Sequence, residues 1–301
     1  MVCVNKKQFP VGDRRCDVIS NEQVGNNLYL MWLKPKEVLT GAPQPTEFKC
    51  MPGQFVMLDL PVEGFYLRRP MSVYDVSSDG SLAIFYKVHG KGTHLMSTLS
   101  VGDTMKVLGP LGNTFTLPDS DDELSSMLLV GGGIGIAPMV ALAQWLKRQG
   151  RPVPRCVYGV RGHGEVSIQP TMDDVFGADG WRLATDDGSA GFHGNVCQLL
   201  REESRWLTDA SRVAVCGPFP MMKAMTELVS QDAPQVTVEV SLEERMPCGT
   251  GACTGCVVET TTETLPVKAC LKGPIFDAAT LIWPGDPNVS NHQEGGASCP
   301  V

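Results

Sequence analysis

From residue 10 to residue 118, apolar and polar positions alternate in short runs, and turn residues end each run. "RCDVIS", "NLYLMWLK", "QFVMLDL", "SLAIFYKV" and "TMKVLGP" have strand length, are enriched in apolar and β-branched residues, and are separated by Gly and Pro. Successive strand side chains point to opposite faces, so these runs predict a half-buried antiparallel sheet closed into a small β-barrel. After Asp122 the period changes. "SMLLVGGG" reads as a buried strand entering a glycine turn, "APMVALAQWLKRQG" carries helical periodicity and stops at Gly150, and "RCVYGV" is a second strand. "WRLAT", "RVAVCG", helical "PMMKAMTELVSQ" and "VTVEV" continue the alternation. Residues 119 to 240 are therefore expected to form an α/β parallel-sheet domain of nucleotide-binding type. Residues 241 to 285 form a short Gly- and Cys-rich module, and the polar stretch 286 to 301 reads as a flexible tail. No internal repeat is present.

Composition narrows the function classes. With 301 residues and 43% hydrophobic content, the chain can bury two cores and still carry a small module. A net charge of −8 without a long basic run gives no electrostatic footprint for nucleic acid. The start "MVCVNKKQFP" lacks an apolar core followed by a cleavage site, so no signal peptide is expected and the expected compartment is cytoplasmic. Leu124 to Leu146 is uncharged and long enough to span a bilayer, but Gly131, Gly132, Gly133, Gly135 and Pro138 interrupt it. A strand, a tight turn and a helix start fit it better than a membrane span.

Eleven cysteines in a cytoplasmic chain are expected to be reduced. Cys3, Cys16, Cys50, Cys156, Cys197, Cys216 and Cys299 are scattered singly and read as small buried residues or free thiols. "CGTGACTGC" at 248 to 256, followed by Cys270, is patterned. A disulfide knot, a zinc knuckle and an iron–sulfur cluster compete for it. The spacing C-x4-C-x2-C, then x13-C, matches plant-type [2Fe–2S] sites, whose glycine-containing loops aim backbone N–H groups at sulfide. Zinc knuckles favour two CxxC-like pairs, and only Cys253 and Cys256 make one; zinc stays as the alternative ligand.

Three further segments suggest anion sites. In "VGGGIGIAP", Gly131, Gly132, Gly133 and Gly135 let backbone N–H groups approach a pyrophosphate, and a helix N-terminus follows. No acidic residue stands about twenty positions on, as it does in the common Rossmann fingerprint, which argues for a variant dinucleotide site. Arg161 could meet a 2′-phosphate, whereas Glu165 or Asp187 could hold a free ribose. In "LRRPMSVYDV", Arg68 or Arg69 could set a guanidinium on a phosphate while Met71 and Ser72 address a flat ring, or either could be a solvated charge. "HGKGTHLMSTL" places Gly90, Gly92 and Thr93 at a helix start.

In this order, "RRPMS", "GKGT", "GGGIGIAP" and "CGPFPMMKA" resemble the ferredoxin–NADP reductase superfamily. The appended "CGTGACTGC…KACLKGPIF" is similar to the family of dihydroorotate dehydrogenase electron-transfer subunits, and the resemblance runs from about residue 12 to 284. It implies FAD on the barrel and NAD on the sheet. Arg69 would meet the FAD phosphates, Ser72 would lie near the flavin ring, and Gly92 and Thr93 would reach the pyrophosphate; Met71 stands where the superfamily often has tyrosine. Cys216, Gly217 and Pro218 would lie beside the nicotinamide, and Cys248, Cys253, Cys256 and Cys270 would ligate the cluster. The implied activity is that of an FAD- and [2Fe–2S]-dependent NAD(P) oxidoreductase subunit, with no catalytic side chain singled out. Electrons would pass from a partner FMN-containing catalytic subunit through [2Fe–2S] and FAD to NAD+ in pyrimidine biosynthesis, within a hetero-oligomer. Two alternatives stand beside it. One is a reductase subunit serving a hydrogenase, an oxygenase or ferredoxin–NADP transhydrogenation, although the transhydrogenase subunit typically has aspartate where Cys248 stands. The other is a non-enzymatic cluster protein that uses the flavin fold as a scaffold.

Overall fold

The computed structural model describes residues 9–39, 46–61, 64 and 66–284. Cys3, Cys299, the first eight residues and the polar tail from residue 286 lie outside the described residues. Strands β1 (Gly12–Gly25), β2 (Leu28–Val38), β3 (Phe55–Asp59), β4 (Arg69–Ser72), β5 (Asp75–Val76), β6 (Leu82–Lys87) and β7 (Thr104–Leu111) make one antiparallel sheet in the order β4-β3-β7-β1-β2-β6-β5. The edge strands β4 and β5 are joined by only Val73 and Tyr74. Two residues reach roughly 7 Å beyond their neighbours, so the sheet must curl until its edges meet, as a barrel does. The period-2 pattern fills it: Met31 and Leu33, Val56 and Leu58, Leu82 and Ile84, and Met105 and Val107 all enter one core. Helix α1 (Lys91–Thr98) follows β6, and the short α2 (Asp121–Ser125) leads out of the barrel.

The second sheet begins with β8 (Leu128–Gly132), which runs through a tight turn into α3 (Ile136–Arg148). There follow β9 (Arg155–Val160), α4 (Gln169–Phe176), β10 (Trp181–Thr185), β11 (Phe192–His193), α5 (Val196–Glu202), α6 (Arg205–Thr208), β12 (Arg212–Cys216), α7 (Phe219–Asp232) and β13 (Thr237–Ser241). The strand order is β11-β10-β9-β8-β12-β13, all parallel. Alternate residues serve the two faces: Leu128, Val130, Val213 and Val215 pack with α5 and α7, while Leu129, Ala214 and Cys216 pack with α3 and α4. Burial on both faces explains why these strands read as continuous apolar runs.

The C-terminal module holds a hairpin, β14 (Val257–Val258) and β15 (Val267–Lys268), then α8 (Ala269–Lys272) and β16 (Ile275–Asp277). Strand β16 joins the second sheet antiparallel to β13, pairing Val240 with Phe276 and Ser241 with Ile275. From the barrel side, Asn113 acts as a substitute strand residue. Its Nδ2 donates to the carbonyls of Lys272 (2.9 Å) and Ile275 (2.8 Å), and its Oδ1 accepts from the Ile275 N–H (2.9 Å). The module is thus wedged between barrel and sheet, and Cys256 and Cys270 share one apolar core with Met57 and Leu111 of the barrel and Val240 of the sheet. Among the described residues no helix is long and apolar enough to cross a membrane, and Leu124 to Leu146 splits into a strand, a turn and a helix as its glycines require.

Candidate cofactor and electron-transfer site

At the first corner, "RPMS" forms β4, with Leu58 opposite Arg69, Val56 opposite Met71 and Phe55 opposite Ser72. Strand alternation sends the two arginines different ways. Arg68 makes a two-pronged ion pair with Asp13 at 3.0 and 2.7 Å, so its charge is spent inside the barrel wall. Arg69 turns to the start of α1 instead, and its Nη1 donates to the Leu67 carbonyl at 2.5 Å. A Cβ built on Gly92 would stand 2.7 Å from the Arg69 Nε, so only glycine lets the guanidinium lie against the first turn of that helix. Gly90 is the N-cap, and the Thr93 hydroxyl donates to the His89 carbonyl (2.9 Å) while accepting from the His89 N–H (2.6 Å). Arg69, Gly90, Gly92 and Thr93 are thereby brought together. A guanidinium beside the free N–H groups of a helix start is suited to an anion such as a phosphate. Met71 packs on the barrel core, and Ser72 is half-buried at the end of β4.

The second corner is the topological switch of the parallel sheet. Connections from β8 lead to β9 on one side, whereas β12 lies on its other side, and ligands of such sheets bind outside the strand ends at this point. Both glycine motifs are there. A Cβ on Gly135 would strike the Cys216 carbonyl, and one on Gly131 would lie 2.7 Å from the Ile136 Cα, so these two glycines allow close packing of turn, helix and neighbouring strand. Gly133 has φ +53°, and a Cβ there would meet no atom within 4 Å. It presents bare backbone at the mouth, ahead of the α3 N-terminus. Cys216, Gly217 and Pro218 close the other side, where burial pushes the Cys216 thiol up to about 12. Strand β6 of the barrel stands against the Gly133–Gly135 turn.

Of the three residues considered for the ribose or its phosphate, Glu165 is occupied. Its carboxylate meets Lys87 of the barrel at 2.6 Å, and the Asn26 N–H donates to the adjoining Gly164 carbonyl at 3.1 Å. Asp187 lies against Gly162 at the end of β10 and accepts from the Ser189 N–H (2.9 Å) and hydroxyl (2.5 Å), which holds its carboxyl below the usual range. Arg161 is exposed. Neither Lys87 nor Asn26 carries a sequence signal, since both act across the domain junction.

The cysteine loop forms two pairs. Cys248 and Cys253 sulfurs are 3.2 Å apart, and Cys256 and Cys270 are buried together in one core. No disulfide joins any of these four, and each is a free thiol. Gly249 and Gly251, at φ 70° and 78°, fold the backbone back on itself. The Cys253 N–H points at the Cys248 sulfur (3.5 Å), and this contact, with that of Thr250, holds the Cys248 thiol down to about 6. Burial, with Cys256 alongside, pushes Cys270 up to about 11. Two thiol pairs in an amide-lined loop fit a two-iron, sulfide-bridged group better than one tetrahedral zinc.

Comparison with known proteins agrees with this division. Residues 243–282 match the iron-sulfur cluster binding domain of dihydroorotate dehydrogenase B, residues 16–115 an oxidoreductase FAD-binding domain and residues 129–227 an oxidoreductase NAD-binding domain. The dihydroorotate dehydrogenase B (NAD(+)) electron transfer subunit of Geobacillus kaustophilus is 36% identical over 276 residues, covering 90% of this chain and 99% of the relative. That of Desulforamulus reducens is 38% identical over 243 residues, covering 77% and 87%. A chain from the structure of an NADH-dependent reduced ferredoxin-NADP oxidoreductase superposes with a TM-score of 0.72 at 28% identity, over 89% of this chain and 90% of that one. A cytochrome P450 reductase from Amycolatopsis, at 24% identity and a TM-score of 0.62 over 76% of this chain and 70% of that one, shares the fold.

Proposed function

We propose a function from one premise: the chain belongs to the family of dihydroorotate dehydrogenase B electron transfer subunits. It carries FAD-binding, NAD-binding and iron-sulfur cluster binding domains. We assign these to residues 10–118, 119–240 and 241–285. In this reading the chain takes electrons from an FMN-containing catalytic subunit that oxidises dihydroorotate, delivers them to NAD+ and works in the reducing cytoplasm, where its thiols stay free. The observation that carries it is the wedged position of the cysteine module, whose Cys256 and Cys270 lie in the core that also joins the barrel to the sheet.

When bound, the nicotinamide exchanges two electrons as hydride, the cluster exchanges one at a time, and the flavin can do both. The chain's own residues provide the seats. Arg69 and the α1 start would neutralise the flavin phosphates, and Ser72 at the end of β4 would address its ring. Gly133 and the α3 start would receive the nucleotide pyrophosphate through backbone N–H groups, so that seat needs no charged side chain. Cys216 to Pro218 would border the nicotinamide. Cys248 with Cys253 would hold one iron and Cys256 with Cys270 the other, the amides of Thr250 and Cys253 favouring thiolate.

The test is Cys256→Ala, assayed two ways on one preparation. Reduction of bound flavin by NADH should survive, whereas NAD+ reduction driven by dihydroorotate with the catalytic subunit should stop. Retention of the second activity after proven loss of cluster absorption would refute the relay. The likeness to the NADH-dependent reduced ferredoxin-NADP oxidoreductase favours a second reading, ferredoxin-linked transhydrogenation. Turnover with ferredoxin and none with dihydroorotate would select it.

A further inference from the structure

At the switch point stands Met221, in the "CGPFPMMKA" run but outside the Cys216–Pro218 segment assigned to the nicotinamide. Cys216 and Gly131 pair across β12 and β8, so Gly217 and Gly132 come next to each other at the strand ends. A Cβ built on Gly217 would lie 3.0 Å from the Gly132 Cα, so two adjacent strand ends lack side chains and leave a notch. The Met221 thioether fills it. A Cβ on Gly132 would strike the Met221 Sδ and stand 3.0 Å from its Cε, and a Cβ on Gly217 would stand 2.6 Å from the same Cε. The backbone fixes where Met221 stands: its N–H donates to the Pro218 carbonyl at 2.9 Å, in the first turn of α7, directly after the Cys216–Pro218 segment. Its side chain is partly buried against the main core, so one end is anchored and the other faces the strand ends.

We propose that Met221 is a positioning residue for the nicotinamide nucleotide: its thioether sets the separation and shape of the Gly132 and Gly217 strand ends that border the nucleotide. This rests on the nucleotide-binding reading of the switch point given above. The chemistry suits the residue. Methionine is unbranched and polarizable, it adapts to a notch between two backbones, and its sulfur makes favourable contacts with flat rings. Two glycines alone would leave the strand ends free to close on each other. A β-branched side chain in place of methionine would carry its bulk too near the α7 backbone to reach both glycines. Met221 acts through the backbone it supports and takes no part in electron transfer.

The experiment compares the holoprotein with Met221→Ala and Met221→Leu. The Kd for NAD+ is measured by calorimetry on the oxidised protein, next to the NADH KM and kcat for flavin reduction, the melting temperature, and the flavin and cluster spectra. Met221→Ala should weaken NAD+ roughly tenfold, the equivalent of about 1.4 kcal/mol, and raise KM to match while kcat stays within about twofold. Met221→Leu, of similar volume, should restore most of the affinity. If Met221→Ala does not fold, Met221→Gln, which keeps the length but puts an amide where the sulfur lies, carries the same expectation. A lowered melting temperature with unchanged Kd and KM would make Met221 core packing only and overturn the proposal. A wild-type holoprotein that binds no NAD+ and is not reduced by NADH would overturn the nucleotide reading itself, and this proposal with it.

Discussion

Two corners of this molecule suited to phosphate are built from different materials. At the barrel corner a side-chain charge, Arg69, lies against the start of α1. At the sheet corner, Gly131 to Gly135 and Cys216 to Pro218 include no charged side chain, which leaves shape and backbone N–H groups to meet an anion. The contrast has a physical consequence. A guanidinium acts through space, is screened by salt and can be partly replaced by another cation, whereas a packed backbone turn tolerates almost no added atom.

Substitutions can break this contrast at either end. The largest effect should come from Gly135→Val, whose Cβ would fall on the Cys216 carbonyl and force two strand ends apart. Calorimetry should detect no NAD+ binding, and urea unfolding should show a loss at or above the about 1–3 kcal/mol of an overpacked core, with bound flavin retained. Normal NAD+ affinity would mean the turn is not part of the nucleotide seat. Next comes Arg69→Ala, expected to cost about 1.5–3 kcal/mol of flavin affinity and leave the fold intact. Arg69→Lys should recover part of it, more at low salt, because charge returns without the planar fork. Equal flavin content in all three proteins would remove Arg69 from the site.

Smaller changes sharpen the comparison. Gly133→Ala meets open space but must hold a positive φ, so the expected cost is about 1–2 kcal/mol of strain, read as a raised NADH KM with an unchanged cluster spectrum. The smallest effect is expected from Lys87→Met. Its partly exposed pair with Glu165 should be worth about 1 kcal/mol or less, seen as a slight loss of stability that shrinks as salt is added. A large loss of NAD+ affinity in that variant would show that the barrel positions the nucleotide loop, and the two corners would no longer be independent.

Legibility in the sequence followed the range of each interaction. "WRLAT" coincides with β10, and "PMMKAMTELVSQ" lies inside α7, because buried strands and amphipathic helices are written in contiguous residues. Strands β4 and β5 are not separable within "LRRPMSVYDV", since four- and two-residue edge strands carry too few positions to show a period. Strand β16 was equally hidden: it is three residues long and exists because β13 offers an unpaired edge. Residue chemistry alone left Arg68 and Arg69 alike and the resemblance pointed to Arg69; the pleat, with Asp13 on one side and Gly92 on the other, shows where Arg68 goes instead.

By itself, the sequence determined the order of barrel, parallel sheet and cysteine module, the glycine turn at residues 131–135 and the spacing of Cys248, Cys253, Cys256 and Cys270. Each depends on local sterics: which residues allow a turn, which period buries a face, how far apart two ligands sit along a loop. Tertiary structure decided the rest. It paired the four thiols two by two, tied Glu165 to Lys87, used Asn113 to dock the module, and set Met221 between two glycines of different strands. These are meetings of residues far apart in the chain, fixed by which surfaces pack together once both cores are closed.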